Sequence, residues 1–284
     1  MKHVSFTQLM TYIRCPEHYL FRYKLGMQRL PRKVLKHGFA LHETFAYHFD
    51  QKKKDGKGLN AKEAKEFFVE VFRSALEDYA LELEEARHLL SKEYLLKEKE
   101  ADVGEMLELG MKGIDVYFKE MNPKIKPNLI EASFSIPLQK GIRLIGNIDL
   151  TDTKDVIHEM KTTRKSPNMQ DIRNDAQLAI YQLGFQSLTK KLPKGISKDY
   201  IVMSKKDPKI VRFQVARPFL DRQAVLGTIH SILSAVQNNI FYCLHPAESW
   251  ICSKEWCGYY GLHKELRTLG LQRFIAKYTK YKRR

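Results

Sequence analysis

Features that would assign this chain to a membrane, to the cell exterior or to a motor are missing from its sequence. No uninterrupted apolar stretch reaches the roughly 20 residues that a membrane-spanning helix needs, and the first residues contain no apolar core of a secretory signal. No glycine-rich loop ending in Lys-Ser or Lys-Thr occurs, so any unwinding of nucleic acid has to come from another protein. We therefore expect a cytoplasmic protein with no membrane partner.

Cysteine is scarce, and acidic residues are outnumbered by basic ones. The four cysteines are expected to be thiols or metal ligands, because disulfides rarely persist in the cytosol. The 284 residues include 49 Lys and Arg and 33 Asp and Glu, which gives a formal net charge of +16 and a sequence pI near 9.5. This excess favours a polyanionic partner, with DNA or RNA first and an anionic membrane surface as the alternative.

Helical periodicity dominates the first 120 residues, and strand-like alternation begins after Pro127. The capping pattern of Ser5-Phe-Thr-Gln8 predicts a helix to about residue 23 with a break at Pro16, and Asn60-Ala-Lys-Glu63 predicts another helix start. Further predictions are a helix at 34–49, a charged loop at 51–58, strands at 129–137, 142–150, 156–162, 198–203 and 210–215, and helices at 171–188 and 218–238.

This order of elements predicts an α/β (α+β) fold, with a mixed sheet flanked by helices and an N-terminal helical region. The 43% hydrophobic content suffices for a substantial core, and the length suits one large domain or two small ones. We interpret residues 1–284 as a single domain, with a helical insertion at residues 60–122 and a cysteine loop with a basic tail at residues 240–284.

One predicted hairpin carries two acids and a lysine. Glu159 and Lys161 lie two residues apart on a strand and therefore share a face, and a turn near Lys154 brings Asp149 opposite Glu159. Two carboxylates suit Mg²⁺ or Mn²⁺, and a neighbouring ammonium can stabilise charge on a phosphate or orient a water. An ordinary surface hairpin with an ion pair is the alternative interpretation.

Predicted helices add polar side chains, each with a structural alternative. His42 shares a helix face with Gly38, although a helical histidine is more often a satisfied residue than a metal ligand. Gln177 and Tyr181 share a face on the helix after the hairpin, which also fits the polar rim of an amphipathic helix. Glu131, one strand upstream, is an additional candidate acid.

Taken in order, these motifs resemble those of the PD-(D/E)XK nuclease superfamily in its RecB-like branch, and they are similar to CRISPR-associated and AddB-type nuclease domains. The proline–aspartate that names the superfamily appears here as Ile148-Asp149. No single motif is specific, but the ordered set is. The motifs are Ser5-x3-Leu9-x2-Tyr12-x2-Cys15-Pro16, Gly38-x3-His42, Gly146-x-Ile148-Asp149, Glu159-x-Lys161-Thr162 and Gln177-Leu178-x2-Tyr181.

The resemblance implies a restriction-endonuclease-like core and metal-dependent hydrolysis of phosphodiester bonds. It implies that Asp149 and Glu159 hold Mg²⁺ or Mn²⁺, with His42 as a further ligand. It also implies that Lys161 assists the nucleophilic water, while Gln177 and Tyr181 support the site and contact DNA.

The cysteines form a second constellation. In the same family, one early cysteine and a late group of three often hold a [4Fe–4S] cluster, which here implies Cys15 with Cys252 and Cys257. The usual third late position holds His263, so the fourth ligand is either Cys243, which keeps an all-thiolate shell, or His263. Three thiolates with a histidine would also suit zinc, and four inert buried thiols are the structural alternative.

The function that we expect is a metal-dependent DNA exonuclease that prefers single strands or DNA ends, in recombination, repair or the processing of phage or mobile-element DNA. The alternatives are a non-catalytic basic nucleic-acid-binding subunit and a structural partner of a helicase or recombinase. Nothing resembles a base-reading motif, so we expect little sequence specificity. Basic groups for phosphate contacts lie at residues 29–33, 161–165, 190–191, 205–206 and 277–284, where Tyr278 and Tyr281 could stack on unpaired bases.

Overall fold

The alternating apolar segments after Pro127 form a mixed six-stranded sheet together with a short N-terminal strand. The strands are β1 (His3–Ser5), β2 (Pro127–Pro137), β3 (Arg143–Asp152), β4 (Val156–Thr163), β5 (Gly195–Val202) and β6 (Lys209–Val215). β3 pairs with β1 in parallel and with β2 and β4 in antiparallel orientation. β4 pairs with β5 in parallel, and β5 pairs with β6 in antiparallel orientation, which confirms the predicted fold class.

The structure is a computed structural model that describes residues 2–28, 30–138, 141–169, 175–204, 206, 208–215, 219–243 and 249–279. The predicted start of a helix at 171, the basic residues Arg29 and Lys205, and Tyr281 lie outside these ranges. The helices are α1 (Phe6–Arg14), α2 (Pro16–Tyr19), α3 (Lys33–Asp55), α4 (Ala61–Ala86), α5 (Lys92–Glu100), α6 (Val103–Glu120), α7 (Ala176–Thr189), α8 (Phe219–Gln237), α9 (Tyr260–Leu269) and α10 (Leu271–Thr279), with a π-helical segment at Leu20–Lys24 and 3-10 turns at Arg87–Leu89 and Asn122–Lys124.

The capping box predicted at Asn60 is present. Asn60 Oδ1 accepts hydrogen bonds from the backbone N–H groups of Lys62 and Glu63, and Glu63 Oε2 accepts one from the N–H of Asn60 at 2.8 Å. The two side chains thus satisfy N–H groups that have no partner within the helix. The predicted break at Pro16 is also present, since α1 ends at Arg14.

The helix predicted to open at Ser5 is present, because Ser5 is the last residue of β1 and α1 begins at the next residue, Phe6. One local prediction was wrong. The predicted loop at 51–58 begins later, because α3 continues to Asp55. The carboxylate of Asp55 then accepts hydrogen bonds from the N–H groups of Lys57 and Gly58 at 2.8 and 2.7 Å, which forms the turn.

The chain divides into two compact units. Unit 1 comprises Met1–Phe6, Val34–Leu76 and Val103–Gly227, and unit 2 comprises Thr7–Lys33, Glu77–Asp102 and Thr228–Arg284. The interpretation of residues 1–284 as one domain stays a prediction. Within the described part of the chain, every helix is too short or too polar to cross a membrane.

In unit 1, α7 packs against β2 and β3, and α6 packs against β5 and β6. Close packing of α7 depends on two glycines that face the ring of Phe134. A Cβ atom at Gly146 would lie 2.6 Å from that ring, and one at Gly184 would lie 2.4 Å from it. Gly146, part of the motif that ends at Asp149, therefore has a packing role in the sheet.

Unit 2 has a separate core that is rich in aromatic side chains. Phe21 contacts Tyr259 and Phe274 in tilted or edge-on geometry, an arrangement that aromatic pairs favour. Cys257 is buried in the same core, so its thiol faces an apolar surrounding. The buried members are Leu20, Phe21, Leu25, Cys257, Tyr259, Leu262, Leu266 and Phe274.

Candidate active site

Strand register brings two acids together between β2 and β3. The pairs Ile130–Leu150 and Ala132–Ile148 flank the position where Glu131 lies opposite Asp149. Glu131 has a φ of 46°, which a non-glycine residue rarely adopts, and the register of β2 shifts just before it. This local irregularity directs the Glu131 carboxylate towards His42 of α3.

The row of charged residues continues into β4 and β5. Because Leu150 pairs with His158, Asp149 and Glu159 occupy the next opposing positions. Glu159 pairs in turn with Lys198. Within the described residues the ladder between β3 and β4 stops at Leu150, so the two strands separate where the acids lie. The row across four strands is Glu131, Asp149, Glu159 and Lys198.

His42 bridges two of these carboxylates. Its Nε2 lies 3.0 Å from Asp149 Oδ2, and its Nδ1 lies 3.4 Å from Glu131 Oε1. Burial disfavours the imidazolium, but the neighbouring carboxylates outweigh this effect and raise the pKa of His42 to about 9. Burial also acts against the Asp149 carboxylate, but its hydrogen bond and charge pairing with His42 lower its pKa.

Glu159 is the most deeply buried acid of the site, with no solvent exposure. Burial, followed by the charge of Asp149, raises its pKa to about 8. Its Oε1 forms an ion pair with Lys161 Nζ, yet neither carboxylate oxygen has a well-directed hydrogen bond within the described residues. Burial lowers the pKa of Lys161, but the charge of Glu159 outweighs burial and the net shift is upward.

α7 supplies the remaining predicted side chains. Gln177 Nε2 donates a hydrogen bond to the Tyr181 hydroxyl at 2.8 Å, and that hydroxyl lies 3.5 Å from Asp149 Oδ1. Burial and the nearby acids raise the pKa of Tyr181 well above its usual value. The hydroxyl therefore stays protonated and can donate to Asp149.

Two residues of this region were missed by sequence reasoning. Asp175 caps α7 by accepting the Gln177 N–H at 2.9 Å, and its other carboxylate oxygen pairs with Lys198 Nζ. Lys198 is only 3% exposed. The signal in the sequence was Lys198-Asp199, a charged pair inside a strand whose other residues are uncharged.

The donor set fits a divalent cation. Ligand atoms of His42, Glu131 and Asp149 lie within 4.8 Å of one another, and they border a cavity of about 20 Å³, enough for one water-sized occupant. Hard cations prefer such oxygen ligands. Glu159, which the sequence also predicts as a metal ligand, is not among the three residues whose ligand atoms converge.

The four cysteines lie together in unit 2, and none forms a disulfide. Cys243, Cys252 and Cys257 border a cavity of about 300 Å³, and the sulfurs of Cys15 and Cys243 lie within 4.8 Å of each other and of a ring nitrogen of His263. Burial raises the pKa of the Cys15 thiol and of the Cys257 thiol to about 12. A cation with affinity for sulfur is therefore needed to stabilise these groups as thiolates.

Both candidates for the fourth ligand, Cys243 and His263, lie beside Cys15. His263 Nδ1 is already paired with Glu17 Oε2 at 2.5 Å, and both side chains are buried. The Glu17 contact orients the imidazole ring, as a carboxylate does next to a metal-bound histidine. Sequence reasoning did not identify Glu17.

Comparisons with known proteins agree with this geometry. Residues 3–261 match the family model of the PD-(D/E)XK nuclease superfamily. Among solved structures, the chain is similar to a protein described as "Putative exonuclease" from Eubacterium rectale, with a TM-score of 0.52 and 11% identity over 85% of this chain and 83% of that chain. At that identity the similarity shows the fold alone.

A second solved structure, SSO0001, aligns with a TM-score of 0.32 and 18% identity over 52% of this chain and 68% of that chain, which is too low to support an argument. No curated protein matches the sequence.

Proposed function

Because the chain belongs to the PD-(D/E)XK nuclease superfamily, we propose that it is a metal-dependent deoxyribonuclease of the RecB-like branch that digests DNA from its ends and prefers single strands. The observation that carries this proposal is the pairing of the buried Glu159 with Lys161, next to Asp149 and at the point where β3 and β4 separate.

Nucleases of this superfamily generally use Mg²⁺ or Mn²⁺, and we assign Asp149, Glu159 and His42 as the residues that would hold the ion, with Glu131 beside them. Such an ion supplies positive charge to a phosphate oxygen and makes a water molecule more acidic. A bound ion would offset the negative charge of the carboxylates that hold it and reduce the repulsion between Asp149 and Glu159.

The side chains around the acids position the reactants. Lys161 Nζ, held by Glu159, is proposed to orient the attacking water and to stabilise charge that develops on the phosphate. Gln177 and Tyr181 hold Asp149 in place by hydrogen bonds. DNA binding draws on the net charge of +16 through phosphate contacts that do not depend on sequence.

The test uses anaerobically purified protein and end-labelled single-stranded and duplex DNA, with Mn²⁺, Mg²⁺ or EDTA. We expect metal-dependent release of label that Lys161→Ala abolishes. Lys154→Ala, an exposed lysine in the turn of the same hairpin, is the matched control and keeps full activity. The labelled end that is lost first reveals the polarity of digestion.

DNA binding without cleavage in any of these metals would contradict a stand-alone nuclease. It would instead favour the non-catalytic binding subunit. Cleavage restored only by an added helicase or recombinase would favour a partner-dependent enzyme.

We further propose that the cysteines of unit 2 hold a [4Fe–4S] cluster with Cys15, Cys243, Cys252 and Cys257 as ligands. Three of these thiols border one cavity, and the sulfur of Cys15 lies within 4.8 Å of the sulfur of Cys243. These positions support the set, because all-thiolate shells favour iron–sulfur clusters. Iron, sulfide and zinc analysis together with visible absorbance tests it. Cys243→Ser is expected to lose the cluster and His263→Gln to keep it, whereas bound zinc that depends on His263 would contradict the proposal.

We also propose that residues 1–284 form one nuclease domain in which residues 60–122 are an insertion. A single cooperative unfolding transition, seen alike by far-UV circular dichroism and by tryptophan fluorescence, is the expected result. Two separated transitions would contradict it.

A further inference from the structure

α3 of unit 1 exposes an apolar stripe that leads to the candidate active site. Val34, Leu35 and Phe39 are 57%, 47% and 51% exposed. His42 follows Phe39 by three residues and Leu35 by seven, and these spacings place Leu35, Phe39 and His42 on one helix face. The stripe and the candidate metal ligand His42 therefore form one continuous surface.

The stripe is not an unfinished part of the core. The opposite face of α3 is already buried through His37, Ala40, Leu41, Thr44 and Phe45. A Cβ atom at Gly38, between the stripe residues, would meet no atom within 4 Å, so the surface is open there. Contiguous apolar side chains that remain exposed beside a polar site indicate a ligand contact.

We propose that Leu35 and Phe39 form a nucleobase-binding subsite, in which the Phe39 ring stacks on an unpaired base next to the scissile phosphate. The inference rests on the proposed nuclease function and assigns its substrate class as single-stranded DNA or a frayed end. The helical rise from Phe39 to His42 is about 4.5 Å, so the two side chains lie within one helical turn of each other. A base next to a phosphate at His42 is thereby placed beside the Phe39 ring.

Unpaired DNA fits the stripe better than a duplex or a protein does. In a duplex the faces of the bases are covered by stacking, whereas an unpaired base offers its face to an aromatic ring. The stripe is continuous with the open site at His42, so a protein seated on it would compete with the substrate of that site. The net charge of +16 also favours a polyanionic occupant.

The test measures binding by the full-length protein in EDTA, where no cleavage occurs. The probes are a labelled oligothymidylate, an abasic oligomer of equal length and a blunt duplex. Phe39→Ala is expected to weaken binding of the oligothymidylate by about 5- to 100-fold, the range for loss of one stacked base. Binding of the abasic oligomer is expected to stay unchanged.

Matched variants separate stacking from general effects. Phe39→Trp keeps an aromatic face and is expected to bind oligothymidylate as wild type does, whereas Phe39→Leu is expected to resemble Phe39→Ala. Leu81→Ala removes another exposed apolar side chain, 68% exposed, and is expected to change nothing. Equal losses for the abasic and base-containing oligomers, or no loss with Phe39→Ala, would overturn the inference.

The outcomes also separate this inference from the proposed function. If wild-type protein cleaves DNA in Mn²⁺ but Phe39→Ala binds and cleaves single strands normally, the subsite is wrong and the nuclease stands. If wild type fails to cleave, the binding series still decides the subsite. Self-association of wild type that Phe39→Ala abolishes, with unchanged oligothymidylate binding, would assign the stripe to contact between two copies and overturn the subsite.

Discussion

The two units gather their functional side chains in different ways. In unit 1, the ladder between β3 and β4 ends at the pair Leu150–His158 and sets Asp149 and Glu159 at the next opposing positions. In unit 2, Cys15 meets Cys243, Cys252 and Cys257, which are distant in sequence. The first site is built by local strand geometry, whereas the second depends on closure of a long stretch of chain.

The two sites also differ in their effect on the stability of the metal-free protein. Burial and the charge of Asp149 raise the pKa of Glu159 to about 8, so the acids of unit 1 repel each other and oppose folding. Buried thiols stay neutral and pack as small apolar groups. We therefore expect that replacing Glu159 stabilises metal-free unit 1, whereas replacing a cysteine removes a metal-mediated cross-link from unit 2.

The largest expected effect is on unit 2. Cys15→Ser should prevent binding of the proposed metal centre and remove much of the stability of this unit, because metal–thiolate binding energies of about 10 kcal/mol or more contribute to folding. Chemical unfolding followed by tryptophan fluorescence measures this, since the two tryptophans, Trp250 and Trp256, both belong to unit 2. Thr268→Ala, an exposed change on α9, is the control. If Cys15→Ser had the same metal content and stability as wild type, the expected difference between the two units would be contradicted.

Glu159→Gln tests the opposite behaviour of unit 1. Activity is expected to fall by about 10³-fold or more, because the proposed metal site loses a charged ligand. In EDTA at pH 8 and above, the variant is expected to be more stable by about 2 kcal/mol, since wild type must either bury the charge of Glu159 or keep a proton on it.

The pH dependence of this gain follows from the raised pKa. The folded wild type retains a proton on Glu159 that the unfolded chain releases above the usual value of 4.5, so wild-type stability falls as the pH rises from 4.5 towards 8. The difference between Glu159→Gln and wild type should grow over that range in thermal melts. A stability difference that does not change with pH would show that the pKa of Glu159 is not raised in the folded protein.

A smaller effect is expected from the ion pair behind the site. Lys198→Met leaves Asp175 without its buried partner and should destabilise unit 1 by about 3 kcal/mol. The double variant with Asp175→Asn should recover part of the loss, which a double-mutant cycle of thermal or urea unfolding measures. Lys62→Met, from the exposed pair with Glu66, should cost nothing measurable. Additive losses would mean that Lys198 and Asp175 act independently.

The smallest change is loss of a single hydroxyl group. Tyr181→Phe removes the group between Gln177 and Asp149 and should lower kcat/KM by about 5- to 10-fold, the equivalent of one hydrogen bond of about 1 kcal/mol. Steady-state cleavage of end-labelled DNA measures it. Tyr47→Phe, on α3 and stacked on Phe67, is the control. An unchanged kcat/KM would show that Asp149 is positioned without Tyr181.

Local sequence patterns were sufficient to predict most of the helices and strands. Strand alternation and one turn predicted the hairpin that brings Asp149 and Glu159 to opposing positions, and capping chemistry predicted the start of α4 at Asn60. Such patterns succeed because they depend on side-chain period and on neighbours within a few residues. The catalytic and ligand roles of these residues stay predictions.

The remaining features depend on contacts between distant segments, and no local pattern encodes them. The backbone irregularity at Glu131, the pairing of Asp175 with Lys198 and the contact of Glu17 with His263 exist only after strands and helices have packed. Exposure of Phe39 is likewise a tertiary outcome, because helical period identifies a face but not what covers it. Sequence alone determined the elements and the identity of the acids, lysine and cysteines, whereas packing decided burial, charge pairing and which side chains meet.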